Sequence, residues 1–261
     1  MKKAAATPGG NRLRALREDY ARTQMDVELD ANLGIGYLQR VESGKVRYPE
    51  RDTLERILAA LNASYTERRD ILELFGYVVD TPLPDAREIE AAVALCQSEL
   101  ARAVFPVYLL DCAHRLLSWN GFLPKLFGDG WQKERDVSML RLMFDPAYGV
   151  SGRIANPDVF FPAQIRALRY QMRLFRSEAW VDALIADLLK LPLFARYWTA
   201  APELLGGELI AARPLIPLEL NVPNSGALRF RLTSEPFAHD RRFRIIYYLP
   251  ADAATMQQCL V

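Results

Sequence analysis

The side chains that most often perform catalysis are few in this sequence, and their spacing does not suit it. His114 and His239 are the only histidines, and each lies in a predicted turn with no nucleophile at a useful spacing. Cys112 precedes His114 by two residues, but a Cys-x-His sequence in a turn does not indicate a thiolate–imidazole pair. The glycines at 128–130 and 206–207 lack the strand–glycine–helix context of a phosphate loop. We therefore predict no enzyme activity, no catalytic residues and no metal site.

A second group of side chains, the basic residues near the start of the chain, could bind phosphate. Residues 1–51 carry ten Lys and Arg against seven Asp and Glu, a net charge of +3, whereas the whole chain has a formal net charge of +1. A phosphate-binding surface requires a local basic face rather than a basic chain. Six residues could form one: Arg14, Arg17, Arg22, Arg40, Lys45 and Arg47. The alternative is that these are ordinary solvated charges on helix surfaces.

The stretch from Thr23 to Gly44 predicts two short helices joined by a tight turn. The first helix is predicted over Thr23–Ala31, with Thr23 as N-cap and Asp26 completing a variant of the capping box. Asn32 follows as a left-handed C-cap, because asparagine tolerates a positive φ better than most residues. Gly44 is expected to end the second helix.

The second helix of this stretch is predicted to bury one apolar face. Ile35, Leu38 and Val41 recur at spacings of three, which places them on one side of a helix. Two such short helices cannot bury a core alone, so flanking helices must supply the rest. Apolar residues at helical spacing lie on both sides, namely Leu13, Leu16 and Tyr20 upstream and Leu54, Ile57, Leu58 and Leu61 downstream. The first ten residues, MKKAAATPGG, are predicted to form a disordered tail ahead of these helices.

These segments resemble the Cro/repressor-like (XRE-type) helix-turn-helix domain. The resemblance lies in LRALREDYARTQ and YLQRVESGKVRYPERDTLERILAALN, where the Thr-Gln pair, the V-E-x-G segment and the following proline match in order. It assigns residues 10–79 to a DNA-binding domain. It further implies that the second helix of the motif lies in the major groove and that the first crosses the phosphate backbone.

The resemblance also implies which residues contact double-stranded DNA. Gln24 holds the position of the family's phosphate-contacting glutamine, at a helix N-terminus that favours an anion. Gln39 could pair with adenine, and Arg40 with guanine or phosphate. The residues expected at the interface, with the early part of the second helix facing outward, are Gln24, Gly34, Ile35, Gly36, Gln39 and Arg40.

Three positions depart from the family's pattern, which has Ala, Gly and Ser where Glu28, Asn32 and Gly34 stand. An outward-facing Glu28 would bring negative charge near the phosphates. Gly34 and Gly36 would weaken the helix start by about 0.5–1 kcal/mol each relative to alanine and leave few side chains to read bases. We therefore expect DNA binding with loose base specificity.

The composition bounds the protein class. A chain of 261 residues, 51% hydrophobic and 25% charged, is expected to form a globular protein of two domains. It has no apolar run long enough to span a membrane, and its first residues lack the apolar segment of a signal peptide. Cys96, Cys112 and Cys259 are scattered without metal-ligand spacing, which favours a reduced, cytoplasmic protein.

Beyond the first domain the pattern changes at residues 80–86, DTPLPDA, which we predict to be a linker. A helix over REIEAAVALCQSELARAV follows, predicted to connect the domains. PVYLLD and LLSWN predict a strand hairpin, helical segments follow, and RPLIPLELNV, ALRFRLTSE and RFRIIYYLP predict three closing strands. The predicted fold class is α+β: an N-terminal all-α helix-turn-helix domain, then a PAS-like domain with a five-stranded antiparallel sheet and helices covering one face.

That second domain resembles the MmyB-like ligand-binding domain, which in its family directly follows an XRE-type helix-turn-helix. The resemblance is carried by PVYLLDCAHRLLSWN followed by LFGD, by MLRLMFDP, by IRALRY and by FARYW. It assigns residues 86–255 to this PAS-like domain. The family comprises transcription regulators, and the resemblance implies an apolar small-molecule ligand such as a long-chain fatty acid.

An apolar ligand with one polar end needs an apolar interior and a partner for its carboxylate. We predict contacts from Tyr108, Trp119, Asn120, Phe144, Leu168, Arg169 and Met172. Arg169 offers a bidentate fork to a carboxylate. The alternatives are that the apolar residues are core, that Arg169 forms a surface charge or an ion pair, and that Asn120 caps the helix after Trp119.

Together these features predict a ligand-responsive transcription regulator that binds operator DNA as a homodimer, with no cofactor beyond a possible bound fatty acid. The proposed mechanism is that ligand shifts the placement of the two recognition helices. The alternative is a lipid-binding or dimerisation module with weak or lost DNA recognition, for which Gly34, Gly36 and Glu28 are the motivation.

Overall fold

The structure, a computed structural model, describes residues 6–128, 130–134, 136–176, 178–200, 215–223 and 225–260. The chain divides into two compact units, Met1–Asp80 and Thr81–Val261, called unit 1 and unit 2 below. Three sequence-based expectations fall partly or wholly outside the described residues: the glycine pair at 206–207, the last five residues of the helix predicted over LPLFARYWTAAPELL, and the first two residues of the strand predicted over RPLIPLELNV.

Unit 1 is helical, as the sequence predicted. Its helices are α1 (Pro8–Asp19), α2 (Gln24–Asp30), α3 (Tyr37–Glu42), α4 (Arg51–Ala60) and α5 (Tyr65–Leu74). Each contributes to one apolar core, whose buried members are Leu13, Leu16, Val27, Ala31, Leu38, Val41, Leu54, Ile57, Leu58, Leu61, Ile71, Leu72 and Phe75.

Helix α1 begins within the residues that the sequence assigned to a tail. Thr7 caps it, since its hydroxyl accepts a hydrogen bond from the backbone N–H of Gly10 at 3.1 Å. A Cβ added at Gly10 would lie 2.6 Å from the carbonyl oxygen of Val41. Glycine therefore lets α1 approach α3 closely, and the prediction that residues 8–10 belong to a disordered tail was wrong.

The helix-turn-helix follows the sequence prediction in its first half and departs from it in the second. Helix α2 has the predicted capping box between Thr23 and Asp26, and Asn32 has the predicted left-handed backbone, with φ of 51°. Helix α3, however, begins only at Tyr37. Ile35 is 86% exposed and lies outside the apolar face to which the sequence assigned it.

Unit 2 combines a sheet with helices. Its helices are α6 (Ala86–Arg102), α7 (Phe122–Phe127), α8 (Met139–Phe144), α9 (Pro157–Met172), α10 (Ala179–Leu188), α11 (Pro192–Ala200) and α12 (Ala253–Leu260). Its strands are β1 (Val107–Asp111), β2 (Leu116–Trp119), β3 (Ile216–Val222), β4 (Gly226–Pro236) and β5 (Phe243–Pro250). The sequence analysis did not predict α12.

The five strands form one antiparallel sheet in the order β2-β1-β5-β4-β3. Strand β1 pairs with β5 so that Tyr108 lies opposite Ile246 and Leu110 opposite Arg244. These even-numbered residues share one face because side chains alternate along a strand. That face packs against α7–α11 in the larger apolar core of unit 2. The predicted α+β class with a five-stranded antiparallel sheet is confirmed.

Helices cover both faces of this sheet, rather than one as predicted. Val107 and Leu109 of β1 form a second core with Ala92, Cys96 and Leu100 of α6. Helix α6 therefore covers the second face of the sheet, because its apolar residues pack against the odd-numbered residues of β1 and β5.

The residues before α6 also pack against unit 2 instead of forming a free linker. Thr81 is buried, and its carbonyl oxygen accepts a hydrogen bond from the indole N–H of Trp180 at 2.9 Å. The backbone N–H of Thr81 donates to the Glu178 carboxylate. The segment around Thr81 is therefore packed in place by hydrogen bonds. Its prolines and polar residues are equally typical of a linker, so composition alone could not distinguish the two.

Candidate DNA interface and ligand-binding core

Helix α3 presents an exposed polar surface. Gln39 and Arg40 are exposed, while Leu38 and Val41 of the same helix are fully buried. The guanidinium of Arg40 lies over the Tyr37 ring, 5.4 Å from its centre. Because the buried pair fixes the rotation of the helix, Gln39 and Arg40 must point away from the core. The helix can therefore offer an amide and a guanidinium to a partner.

The residues just before α3 form the turn of the motif rather than its first helical turn. Gly36 is the N-cap and has φ of 81°, a backbone region that costs other residues about 1–2 kcal/mol. Gly34 and the side chain of Ile35 are exposed beside it. The expectation that two glycines weaken the helix start was wrong, because neither lies in the helix and Gly36 suits the turn.

Replacing Gly36 with alanine is expected to lower the free energy of unfolding by about 1 kcal/mol, because the added Cβ disfavours its positive φ. Gly34→Ala is the matched control, since among the described residues nothing lies within 4 Å of a Cβ added there. Urea unfolding followed by far-UV circular dichroism measures both variants. Equal losses at the two positions would contradict the assigned turn.

The buried carboxylate of Glu28 caps the start of α3. Glu28 is 3% exposed, and its carboxylate accepts hydrogen bonds from the backbone N–H of Gly36 at 2.9 Å and of Leu38 at 2.8 Å. These are N–H groups that the start of a helix leaves without partners. The sequence left open whether Glu28 faces outward near phosphate; in the structure it is buried and its charge caps α3.

Glu42 holds the other end of α3. Its side chain is fully buried, and it accepts hydrogen bonds from Arg17 Nε at 2.7 Å and Arg17 Nη2 at 3.1 Å. The hydrogen bonding of Arg17 to the Glu42 carboxylate is the main effect that raises the pKa of Arg17. Gln24 Nε2 donates to the same carboxylate at 2.7 Å. The predicted phosphate-contacting residue is therefore tied to the recognition helix, which fixes the spacing of α2 and α3.

Sequence reasoning did not assign structural roles to Glu28, Glu42 and Arg17. A signal was present: Glu28 lies three residues before buried Ala31 and Glu42 four residues after buried Leu38, spacings that share one face of a helix. Which donors meet these carboxylates could not be read from the sequence, because Arg17 and Glu42 are 25 positions apart.

In unit 2, the predicted apolar ligand contacts meet in one place. Tyr108, Phe144, Leu168 and Met172 are each at most 6% exposed and belong to the core between the sheet and α7–α11. Trp119 packs against this core at its edge, with its ring 5.0 Å from that of Trp131. The structure thus brings together residues of β1, β2, α8 and α9 in an apolar interior.

Aromatic contacts run through this core towards Arg169. The Phe144 ring lies 5.2 Å from that of Phe194, and Phe194 stacks on Trp198 at 5.4 Å. The Arg169 guanidinium lies over the Trp198 ring at 4.5 Å and donates from Nη2 to the Trp198 carbonyl oxygen at 2.6 Å. Its Nε has no hydrogen-bond partner among the described residues. Arg169 therefore fastens α9 to α11.

The Asn120 side chain is occupied by backbone groups. Its Oδ1 accepts from the N–H of Val107 and of Phe122, each at 3.3 Å, and its Nδ2 donates to the carbonyl oxygen of Phe105 at 2.8 Å. These contacts join the start of β1 to the start of α7. The geometry favours the capping alternative for Asn120 over a ligand contact.

A set of buried polar side chains that the sequence analysis did not assign to the site lies on the same face of the sheet. Arg244 of β5 and His114, in the turn between β1 and β2, are 7% and 8% exposed. Arg244 Nε, His114 Nε2 and Gln171 Oε1 have no hydrogen-bond partner among the described residues. Strand alternation was the available signal, because Arg244 shares its parity with Ile246 and Tyr248, which are buried.

The Cys112 and His114 pair is not arranged for nucleophilic chemistry. Burial raises the pKa of the Cys112 thiol to about 12, so the thiol stays protonated. Burial, followed by the charge of Arg244, holds the pKa of His114 well below its usual value. Groups of three or more His, Cys, Asp or Glu suited to a metal are absent from the described residues. Nor does any described helix combine the length and apolar character of a membrane span.

Two family models match this chain. A family model described as a helix-turn-helix domain matches residues 10–71. A second, described as an MmyB-like transcription regulator ligand binding domain, matches residues 99–260. Both families are DNA-binding or ligand-binding modules and not enzymes.

Other comparisons add little. No curated protein matches the chain. A solved structure described as an RNA-binding light-oxygen-voltage receptor aligns with 96% of this chain at 9% identity, with a TM-score of 0.30. The chain spans only 61% of that protein's length, and no relationship of fold or function is drawn from a score this low.

Proposed function

Because this chain belongs to the family of MmyB-like transcription regulator ligand-binding domains and carries a helix-turn-helix domain, we propose that it is a one-component regulator that senses a long-chain fatty acid. The coarser function, a DNA-binding regulator with a ligand-binding domain, follows from the two families. The fatty acid, the homodimer and a cytoplasmic location are our proposals. The observation that most supports the ligand proposal is the large apolar core of unit 2, in which some buried polar atoms have no hydrogen-bond partner among the described residues.

For the DNA interface we propose the residues that the sequence suggested. Gln39, Arg40 and Ile35 support it because they are exposed around a helix whose opposite side is buried. Gly34 and Gly36 would allow the turn to approach the DNA backbone closely, and Gln24 would contact phosphate beside them. One motivation for the alternative, a module that has lost DNA recognition, is removed, since Glu28 is buried and caps α3.

For the ligand we propose that the acyl chain contacts Tyr108, Trp119, Phe144, Leu168 and Met172, with Arg169 and Asn120 at the border of the same region. The support is that the four most buried of these residues share one apolar core with aromatic side chains from α8, α9 and α11. Such a core offers dispersion contacts to an alkyl chain without demanding hydrogen bonds. Binding can change regulation only if ligand favours one arrangement of a dimer over another.

Arg40→Ala is expected to weaken DNA binding. If Arg40 reads a base, the loss should be about 1–3 kcal/mol. If Arg40 contacts a phosphate, the slope of log affinity against log salt concentration should fall by about one. Fluorescence anisotropy over a range of salt concentrations, on a duplex selected from a random pool, distinguishes the two. Arg12→Ala removes a positive charge of α1 that pairs with Asp70 of α5, and it serves as the control. Equal effects of the two variants would mean that only net charge matters.

The function as a whole is tested by native mass spectrometry followed by DNA titration. A co-purifying species of fatty-acid mass, one per chain, supports the ligand proposal. The same duplex is then titrated with delipidated protein and with protein refilled with palmitic acid. A change in operator affinity supports the sensor, whereas unchanged affinity removes the regulatory role and leaves a lipid-binding module.

A further inference from the structure

Arg244 is a buried cation that forms no ion pair within 4 Å among the described residues. It is 7% exposed, and its one described hydrogen bond runs from Nη2 to the carbonyl oxygen of Asp111 at 3.4 Å. A guanidinium has five N–H donors and stays charged in proteins. Burial lowers the pKa of Arg244 to about 10. The fold therefore holds a charge in its interior whose donors are largely unused.

Arg242, the buried arginine just before β5, makes the contacts expected of a structural arginine. Arg242 is 2% exposed, and it meets two carboxylates: Nη2 donates to Glu88 at 2.7 Å and to Asp240 at 2.8 Å. Arg244 has no such partner in the described part of the chain. Burial lowers the pKa of Arg244 and the charge of the Asp111 carboxylate partly opposes this effect, but the hydrogen bonds of that carboxylate are made with the backbone and Nε of Arg115, at 2.9 and 2.5 Å.

The groups around Arg244 leave more hydrogen-bonding capacity unused. Burial and the charge of Arg244 lower the pKa of His114, and a side-chain hydrogen bond with Gln171 of α9 opposes them by raising it. Neither His114 Nε2 nor Gln171 Oε1 has a partner of good hydrogen-bond geometry among the described residues. Tyr108 is also within electrostatic range of Arg244, and its hydroxyl meets that of Tyr248 at 3.4 Å. Unpaired buried polar atoms are costly in a native core. Their clustering beside one cation indicates a site built for an anion.

We propose that Arg244, with His114 and Gln171 beside it, binds the carboxylate of an apolar ligand whose chain lies in the core between the sheet and α7–α11. The inference rests on the proposed function, because it places the polar end of the same ligand. A carboxylate supplies the missing counterion and matches the planar fork of arginine. Arg169, the anchor suggested by the sequence, already donates to Trp198.

The test compares palmitic acid with methyl palmitate, which keeps the chain and removes the charge. Displacement of a fluorescent probe from delipidated full-length protein measures both affinities. The wild type is expected to bind the acid at least about tenfold more tightly than the ester, since hydrogen bonds to charged groups are strong in a dry site. Arg244→Met is expected to abolish this preference while ester binding persists. Arg231→Met, an exposed arginine of β4, is the matched control.

The possible results distinguish failure of the Arg244 anchor from failure of the proposed fatty-acid binding. If the wild type binds neither compound, the fatty-acid function fails. Equal binding of acid and ester by the wild type leaves an apolar ligand in place but overturns the carboxylate anchor. Loss of the preference in Arg169→Met, with Arg244→Met unaffected, assigns the anchor to α9 and also overturns the proposal.

A second readout needs no variant that could fail to fold. The chain has two histidines, of which His114 is buried and His239 exposed. Adding palmitic acid to the wild type should shift the imidazole proton signal of His114 and leave that of His239 in place. Methyl palmitate should produce a smaller shift of His114. An unmoved His114 signal under saturating acid would place the carboxylate elsewhere.

Discussion

Glu42→Ala is expected to lower the free energy of unfolding by about 3–5 kcal/mol, because it leaves the buried guanidinium of Arg17 without its carboxylate. The two side chains are 0% and 11% exposed, and their closest N–O distance is 2.7 Å. The same substitution releases Gln24 from α3. We therefore expect DNA affinity to fall together with stability, which urea unfolding and fluorescence anisotropy measure on the same sample.

The matched control for Glu42 acts on the same arginine. Glu18 approaches Arg17 Nη2 at 3.5 Å, but its side chain is 61% exposed. Glu18→Ala should change stability by no more than about 0.5 kcal/mol, since exposed ion pairs contribute little. The double variant Arg17→Met with Glu42→Leu should recover much of the loss, because it removes both buried charges. A small effect of Glu42→Ala would mean that Arg17 reaches solvent without cost.

The second large effect is expected at Glu28. Glu28→Ala removes the acceptor of two backbone N–H groups at the start of α3, and each buried N–H left unpaired costs about 1–3 kcal/mol. Since the Gly36 N–H is only partly buried, we expect a total loss of about 2–4 kcal/mol. Urea unfolding followed by far-UV circular dichroism measures it. The turn should loosen, so DNA affinity should decrease as well.

Glu50→Ala is the control for Glu28. Glu50 is also at a helix start, as N-cap of α4, but it makes no side-chain capping hydrogen bond. Its removal should change stability by no more than about 0.5 kcal/mol. If Glu28 instead faced the phosphates, which the sequence alone left open, Glu28→Ala would tighten DNA binding and leave stability unchanged. The two readings therefore predict opposite changes in affinity.

Unfolding of the two units can be followed separately in these experiments. All four tryptophans, at positions 119, 131, 180 and 198, lie in unit 2. Tryptophan fluorescence therefore reports on unit 2, whereas far-UV circular dichroism also includes the helices of unit 1. Variants at Glu28 and Glu42 should alter the circular dichroism transition and leave the fluorescence transition in place.

Local features of this protein were predictable from sequence because they depend on residues close together in the chain. The capping box of Thr23 and Asp26, the left-handed Asn32 and the hairpin of β1 and β2 are of this kind. The five-stranded sheet was also predicted, since β-branched and aromatic runs separated by turn residues indicate strands. The order of the strands in the sheet could not be predicted from the sequence and is known from the structure.

Where sequence analysis went wrong, packing between distant segments had decided the outcome. Ile35 has the spacing of a buried residue, but the αL conformation of Gly36 delays the helix and leaves Ile35 exposed. The segment around Thr81 has the composition of a linker, yet Trp180 binds it from almost a hundred positions away. Such contacts leave no periodic trace in the sequence.

The same distinction applies to the charged residues of the candidate sites. The sequence alone determined which residues can be charged, where the helices of the DNA-binding unit begin and end to within a turn, and that unit 2 has a large apolar core. Only the tertiary structure decided that Glu28 and Glu42 are internal acceptors and that Arg244 is a buried cation with no carboxylate in ion-pair range in the described part of the chain. The reason is physical: the free energy of a charge depends on the groups and solvent around it, and those are brought together by folding.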